Sequence, residues 1–150
     1  MRAWKKITII VLVILLIGGG IALYLSLIDL YKIKGVLKGA KEAFEQEDAD
    51  GLMAYVSTSY SDDYGFNYPM VRRFMSGLFK DFNKFEVVME NPAIEIQDDT
   101  ATVQFSLWIS VDWNGAPAYI VGTNQKGANV RLHLKKVLMK WQAIKIEGVR

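Results

Sequence analysis

Ile7 to Ile28 is a run of twenty-two residues without a charge, and it constrains the chain more than any other stretch. As an α-helix rising about 1.5 Å per residue it extends roughly 33 Å, enough to cross a hydrocarbon core near 30 Å. A cleaved secretory signal would carry a shorter apolar region, about 7–15 residues, ending at a small-x-small site. Here the run passes through Gly18, Gly19 and Gly20 and resumes as far as Ile28, with no A-x-A sequence after it. The expected layout is a tail at 1–6, an uncleaved transmembrane helix at 7–28, a short connector at 29–34 and one domain at 35–150.

The flanks orient the helix only weakly. Arg2, Lys5 and Lys6 precede it, and Lys32, Lys34, Lys38 and Lys41 follow it, so the positive-inside rule is nearly balanced. Because long domains translocate largely regardless of charge, the short basic tail is expected in the cytoplasm. That makes the chain a single-pass inner (cytoplasmic) membrane protein with its domain in the periplasm or otherwise extracytoplasmic. Gly18 and Ala22 form one small-xxx-small pair, the minimal helix-pairing pattern. A single pair is better explained by an anchor with nothing packed against it.

Charge and cysteine content exclude several functions. Setting aside Arg2, Lys5, Lys6, Lys32, Lys34 and Asp29 leaves 13 of 18 basic and 15 of 16 acidic residues in 35–150, a net charge of −2. The basic pI belongs to the anchor region, and no clustered basic face supports nucleic-acid binding. The absence of cysteine removes disulfides, a lipoprotein anchor, thiolate metal sites and a cysteine nucleophile.

After the anchor the apolar period is helical. Ile33, Leu37, Ala40 and Phe44 share one face, although Gly35 and Gly39 each weaken a helix by about 1 kcal/mol against alanine. Asp48 to Gly51 breaks it, and Leu52, Met53 and Val56 make a short second helical turn. The polar, aromatic loop 57–69 follows, and Pro69 suits the first turn of a third helix capped near Asn67 or Tyr68. Val71, Phe74, Met75, Leu78, Phe82 and Phe85 continue at helical spacing, a pattern that reads first as a core face.

From residue 86 the period becomes two. Val87 and Met89 alternate, Asn91-Pro92 interrupts, Ile94 and Ile96 resume, and Asp98-Asp99 turns the chain. Ala101, Val103, Phe105, Leu107, Ile109, Val111 and Trp113 then hold every second position of a long antiparallel strand. Asn114-Gly115 is a strong hairpin signal. A strand over 117–125, a turn at Lys126-Gly127, a strand through Val130, Leu132 and Leu134, and a last strand with Trp141, Ile144 and Ile146 complete the pattern. The turn at Val137-Leu138-Met139 lacks glycine and proline, and reads equally as a tucked turn or an exposed contact patch. About three helices followed by four to five antiparallel strands define an α+β domain.

The segments Ala43–Met53, Tyr60–Gly65, Thr100–Phe105 and Lys140–Ile146, in that order, make residues 33–148 resemble the nuclear transport factor 2-like (cystatin-like) superfamily. The resemblance implies a cone-shaped domain in which helices pack on a curved sheet, and a sheet that often pairs into a homodimer. It also implies either a scaffold or a small enzyme, since this fold hosts isomerases, dehydratases and non-catalytic members.

Active members of such a family place carboxylates, tyrosines or a histidine inside the cone. The apolar face from Ala101 to Trp113 carries no ionisable group, Asp112 falls on the opposite face, and His133 alternates with Arg131 and Lys135 on a polar face. The loop is the one constellation with acid–base groups. Asp62 and Asp63 with Tyr60 and Tyr64 are weak catalytic candidates, against which turn chemistry explains every residue type present. Tyr68, Phe74, Phe105, Leu107 and Trp113 are the expected ligand-binding side chains. No metal-ligand spacing, phosphate loop or nucleophile elbow occurs, and no cofactor is implied. The expected function is a membrane-tethered, non-catalytic binding or scaffold domain whose partner is a protein or a hydrophobic ligand. The alternative is a small isomerase or lyase acting in the cone.

Overall fold

The structure, a computed structural model, describes residues 2–149, with side chains from Trp4 onward. One unbroken helix, α1 (Arg2–Glu45), covers what the sequence divides into anchor, connector and first domain helix. Its 44 residues extend about 66 Å. From Trp4 to Leu27 no protein covers it. From Ile33, which is fully buried, its apolar stripe of Leu37, Ala40 and Phe44 packs into the domain. Gly39 sits in this stretch because a Cβ there would collide with the Tyr55 hydroxyl. The close approach explains a residue that helix propensity alone disfavours.

An opposite sign to propensity is therefore expected for Gly39→Ala. The gain of about 1 kcal/mol in helix propensity is outweighed by overpacking of about 1–3 kcal/mol. Thermal unfolding should show a lower midpoint for this variant. Adding Tyr55→Leu should recover much of the loss if the collision is its cause.

Glu47 takes a left-handed φ of 57° after α1, and Asp48 caps α2 (Ala49–Met53) by accepting from the Gly51 N–H at 2.9 Å. Asn67 caps α3 (Tyr68–Asp81) by accepting from the Met70 N–H at 3.1 Å, with Pro69 in the first turn. The helix stops at Asp81, so Phe82 and Phe85 lie beyond it, contrary to the helical spacing expected for them. Phe85 is nevertheless buried, in an edge-to-face cluster with Phe44 and Phe79 whose ring centroids are 5.1–5.3 Å apart. Lying off the expected stripe, Phe79 was not among the core residues the period identified.

Five strands form one antiparallel sheet: β1 (Glu86–Gln97), β2 (Thr100–Trp113), β3 (Ala116–Val121), β4 (Ala128–Val137) and β5 (Lys140–Glu147). Asn91-Pro92 does not interrupt β1. It forms a bulge between Glu90 and Ala93, opposite a single residue of β2, and so bends a continuous strand. The Asn114-Gly115 hairpin forms as expected, with φ of 54° and 84°. Lys126-Gly127, by contrast, does not reverse the chain. β3 and β4 both run antiparallel to β2 on its edge away from β1. They act as one return strand broken by an excursion at 122–127. That excursion folds over Trp108, whose Nε1 donates to the Thr123 carbonyl at 3.1 Å.

The inner face of β2 from Ala101 to Val111 is buried at every alternate position. Trp113 ends the strand and is 58% exposed, its ring tilted against Phe82, so the buried face stops one residue pair earlier than the alternation implied. In β5 a register shift opposite His133/Leu134 makes Ile144 the extra residue, and the inner positions become Trp141, Ala143 and Ile146. The outer edge of β5 is covered by the loop between α2 and α3, through hydrogen bonds between the backbone of Tyr55, Ser57 or Ser61 and that of Ala143 and Ile144.

Candidate functional site

A cavity of about 560 Å³ lies between α1, α3, the loop 55–66 and the inner face of the sheet. The sheet contributes Val87, Met89, Leu107 and Leu132 to its wall, and α1 contributes Leu37 and Ala40. These residues line a hollow because the bulge at Asn91-Pro92 curves β1 and β2 around it while α1 and α3 close it from the other side. Its polar groups come almost entirely from one segment, as Tyr55, Tyr60, Asp62 and Tyr64. Lys41, the other charged residue on the wall, is paired with Glu45 at 3.3 Å.

The structure brings most of the expected site residues to this cavity. Asp62 Oδ2 accepts from the Tyr60 hydroxyl at 2.6 Å, and Oδ1 accepts the N–H groups of Tyr64 and Phe66 at 2.9 and 3.0 Å. One carboxylate thus closes the turn and orients a buried phenol. Tyr64 is 40% exposed, and its hydroxyl accepts from the Gly148 N–H at 3.1 Å. Phe74, Phe105 and Leu107 line the wall, Phe74 standing edge-on to Phe66 at 5.7 Å. Asp63 points out to Lys145 at 2.9 Å, while Tyr68 and Trp113 lie outside the wall. His133 is also outside it, hydrogen-bonded to Glu147 at 2.8 Å. That bond, with Lys145 adding to it, holds the Glu147 carboxyl below the usual carboxylate range.

Tyr55, Phe66, Met89, Leu132 and Ile146 are among the further wall residues not singled out from the sequence as site residues. Leu132 and Ile146 were readable as inward strand positions. Tyr55 had a fainter signal, three residues after Leu52 on the short second helix. Its hydroxyl makes no hydrogen bond among the described residues, which leaves a donor at the wall of the cavity.

Burial, and then the hydrogen bond to Asp62, push the Tyr60 phenol well above the ordinary tyrosine range. The folded pKa exceeds the unfolded one, so this proton's contribution to stability is fully present below about pH 10 and is lost as pH rises through the folded value. In an ultraviolet titration one of the seven tyrosines is therefore expected to lag until the alkaline transition. Asp62→Asn should move that tyrosine only partway back, because burial is the larger cause.

No protein-family model and no curated protein sequence matches the chain. Solved structures do match it. A nuclear transport factor 2-like protein with a cystatin-like fold from Novosphingobium aromaticivorans superposes with TM-score 0.68 at 14% identity, covering 85% of each chain. The fold is the cystatin-like cone. A scytalone dehydratase candidate from the same organism gives TM-score 0.68 at 12% identity, over 81% of this chain and 83% of that one. A Bdellovibrio bacteriovorus protein gives TM-score 0.65 at 14% identity, over 78% of this chain. The present chain spans only 38% of the length of that protein.

Proposed function

We propose that the chain is a membrane-tethered, non-catalytic binding domain on the extracytoplasmic face, whose cone takes a small apolar molecule with one hydrogen-bonding end. The cavity carries this reading: its volume of about 560 Å³ falls within the range of small-molecule sites, about 300–1,000 Å³. Its wall is apolar except for Lys41, which is paired with Glu45, and the segment 55–64, where the Tyr55 hydroxyl offers a donor and Asp62 an acceptor edge. Binding is favoured over catalysis because Asp62 already accepts three hydrogen bonds and the Tyr60 proton is committed to it. Of the roughly four acceptor sites on a carboxylate, the turn and the phenol take three, which leaves Asp62 one site for a ligand hydroxyl.

The tether is supported by α1, long and apolar enough over Trp4–Glu45 to cross a membrane and uncovered along its apolar window. Trp4 and Tyr31, 80% and 79% exposed, are separated by about 40 Å along the helix. That spacing matches aromatic belts at the two interfaces of one bilayer. The basic tail at Arg2, Lys5 and Lys6 supports a cytoplasmic N-terminus.

Methyl nuclear magnetic resonance on the full chain in lipid nanodiscs tests the binding reading, with naphthol as the apolar probe with one hydroxyl. Saturable shifts are expected at Val87, Leu107 and Leu132, with much smaller ones at Val88, which is exposed and points to the opposite face of the sheet from its neighbours Val87 and Met89. Equal, non-saturating shifts at all four would reject a cone ligand. The enzyme reading draws on Asp62 and Tyr60 meeting inside the cone and on the dehydratase candidate among the fold's neighbours. It requires the chain to accelerate deuterium exchange into tetralone and to lose that activity on Asp62→Asn. No acceleration is expected.

A further inference from the structure

The turn between β4 and β5 is built from residues that a soluble hairpin avoids. Leu138 and Met139 occupy left-handed φ of 50° and 69°, positions that favour asparagine and glycine. The sheet's other two-residue hairpin turns meet left-handed angles with polar residues or glycine, Asp98 at 55° in Asp98-Asp99 and Asn114-Gly115 at 54° and 84°. Leu138 is 92% exposed, Met139 67% and Val137 49%. Three adjacent apolar side chains therefore stand out at a tip whose backbone would be better served by polar residues.

The tip is fastened to α1 just past its apolar run. Asp29, one residue after Ile28, accepts from Lys136 Nζ at 3.1 and 3.2 Å and from Trp141 Nε1 at 3.1 Å. Lys32 Nζ donates to the Met139 carbonyl at 3.4 Å. Both strands of the hairpin thus meet the helix within about one turn of the end of its uncharged segment. We infer that Val137-Leu138-Met139 is a second membrane contact, inserted into the interfacial zone of the bilayer that α1 crosses. The inference rests on the tether proposed above.

Charge assists less than apolar insertion here. Lys135 and Lys140 flank the tip without an ion pair among the described residues, but the Asp98-Asp99 turn lies one strand away, its Asp99 carbonyl accepting from the Lys136 N–H. The contact should therefore persist on zwitterionic lipid and at high salt, unlike a purely electrostatic one. Its consequence is geometric. A helix alone leaves the domain free to tilt, whereas helix and tip together fix the domain's orientation over the bilayer.

The absence of native cysteine makes single-cysteine spin labels unambiguous in the full chain. Leu138→Cys at the tip, Leu16→Cys in the span and Ala116→Cys at the start of β3, beside the far end of β2, are compared in phosphatidylcholine nanodiscs. The readout is relaxation by oxygen, which concentrates in lipid, against a water-soluble nickel chelate. The oxygen-to-nickel ratio at 138 is expected to be several-fold above that at 116 and to fall when Met139→Asp is added. A ratio at 138 equal to that at 116, with 16 reading as lipid, overturns the inference and leaves the tether standing. Shielding of 138 from both reagents would indicate a protein contact and also overturns it. If 16 itself reads as water, the tether fails and this inference with it.

Discussion

Replacing Ile33 by alanine is expected to cost the domain about 2–5 kcal/mol, the range for truncating a fully buried branched side chain. Ile33 has no exposed surface and sits at the level where α1 leaves its uncovered stretch and enters the core. The loss combines transfer of the missing methyl groups with a void that the rigid helix and sheet cannot fill. For a domain near 100 residues the thermal midpoint should fall by on the order of 10 °C, read by tryptophan fluorescence of the full chain in micelles. Leu37→Ala, at a half-buried position on the cavity wall, should cost less. A hollow already lies beside it, so truncation sacrifices fewer contacts.

Asp29→Ala should have an effect of similar size for a different reason. Its side chain is 14% exposed and that of Lys136 is 27% exposed. The pair is partly rather than fully desolvated. Loss of one partner from a fully buried pair costs about 3–5 kcal/mol. Here Lys136 can turn toward water, so its share is smaller, while the buried Trp141 Nε1 loses its acceptor at about 1–3 kcal/mol. A total of about 2–4 kcal/mol is expected from these two overlapping losses. The informative comparison is Asp29→Ala/Lys136→Met, which removes the orphaned ammonium and should regain part of the loss. No recovery would mean that the ammonium is not the group left in difficulty.

These two residues also show where the sequence was legible. Ile33 was identifiable because its spacing to Leu37, Ala40 and Phe44 is helical, and helical period survives any tertiary arrangement. The long β2 strand and the Asn114-Gly115 turn were legible for the same reason, since alternation and positive-φ residues act locally. The Asp29 cluster was not. Asp29 is more than a hundred residues from both Lys136 and Trp141 in the chain, and nothing local marks a pairing that depends on how α1 crosses the sheet.

The cavity was half legible. Asp62 and Tyr60 stood out as a carboxylate and a phenol in one loop, and their neighbours in a turn explained them equally well. The structure shows Asp62 closing that turn and facing the cavity with the same carboxylate. Asp63, of the same chemistry and one residue on, faces Lys145 instead. Only the backbone geometry of the loop separates the two. The hollow itself depends on the bulge at Asn91-Pro92, which in sequence reads as a break. Trp113 shows the opposite error, because alternation continues to the end of a strand after the layer that would bury it has stopped.

The central claim, that the cone is a binding site for a small apolar molecule, is tested most directly by locating such a molecule. Crystals of the full chain grown with bromonaphthol should give a bromine anomalous peak inside the cone, near Leu107 and Leu132. The probe's hydroxyl should lie within hydrogen-bond reach of Tyr55 or Asp62. Bromine density found only outside the cone, with the cavity unoccupied at a saturating probe concentration, would contradict the account.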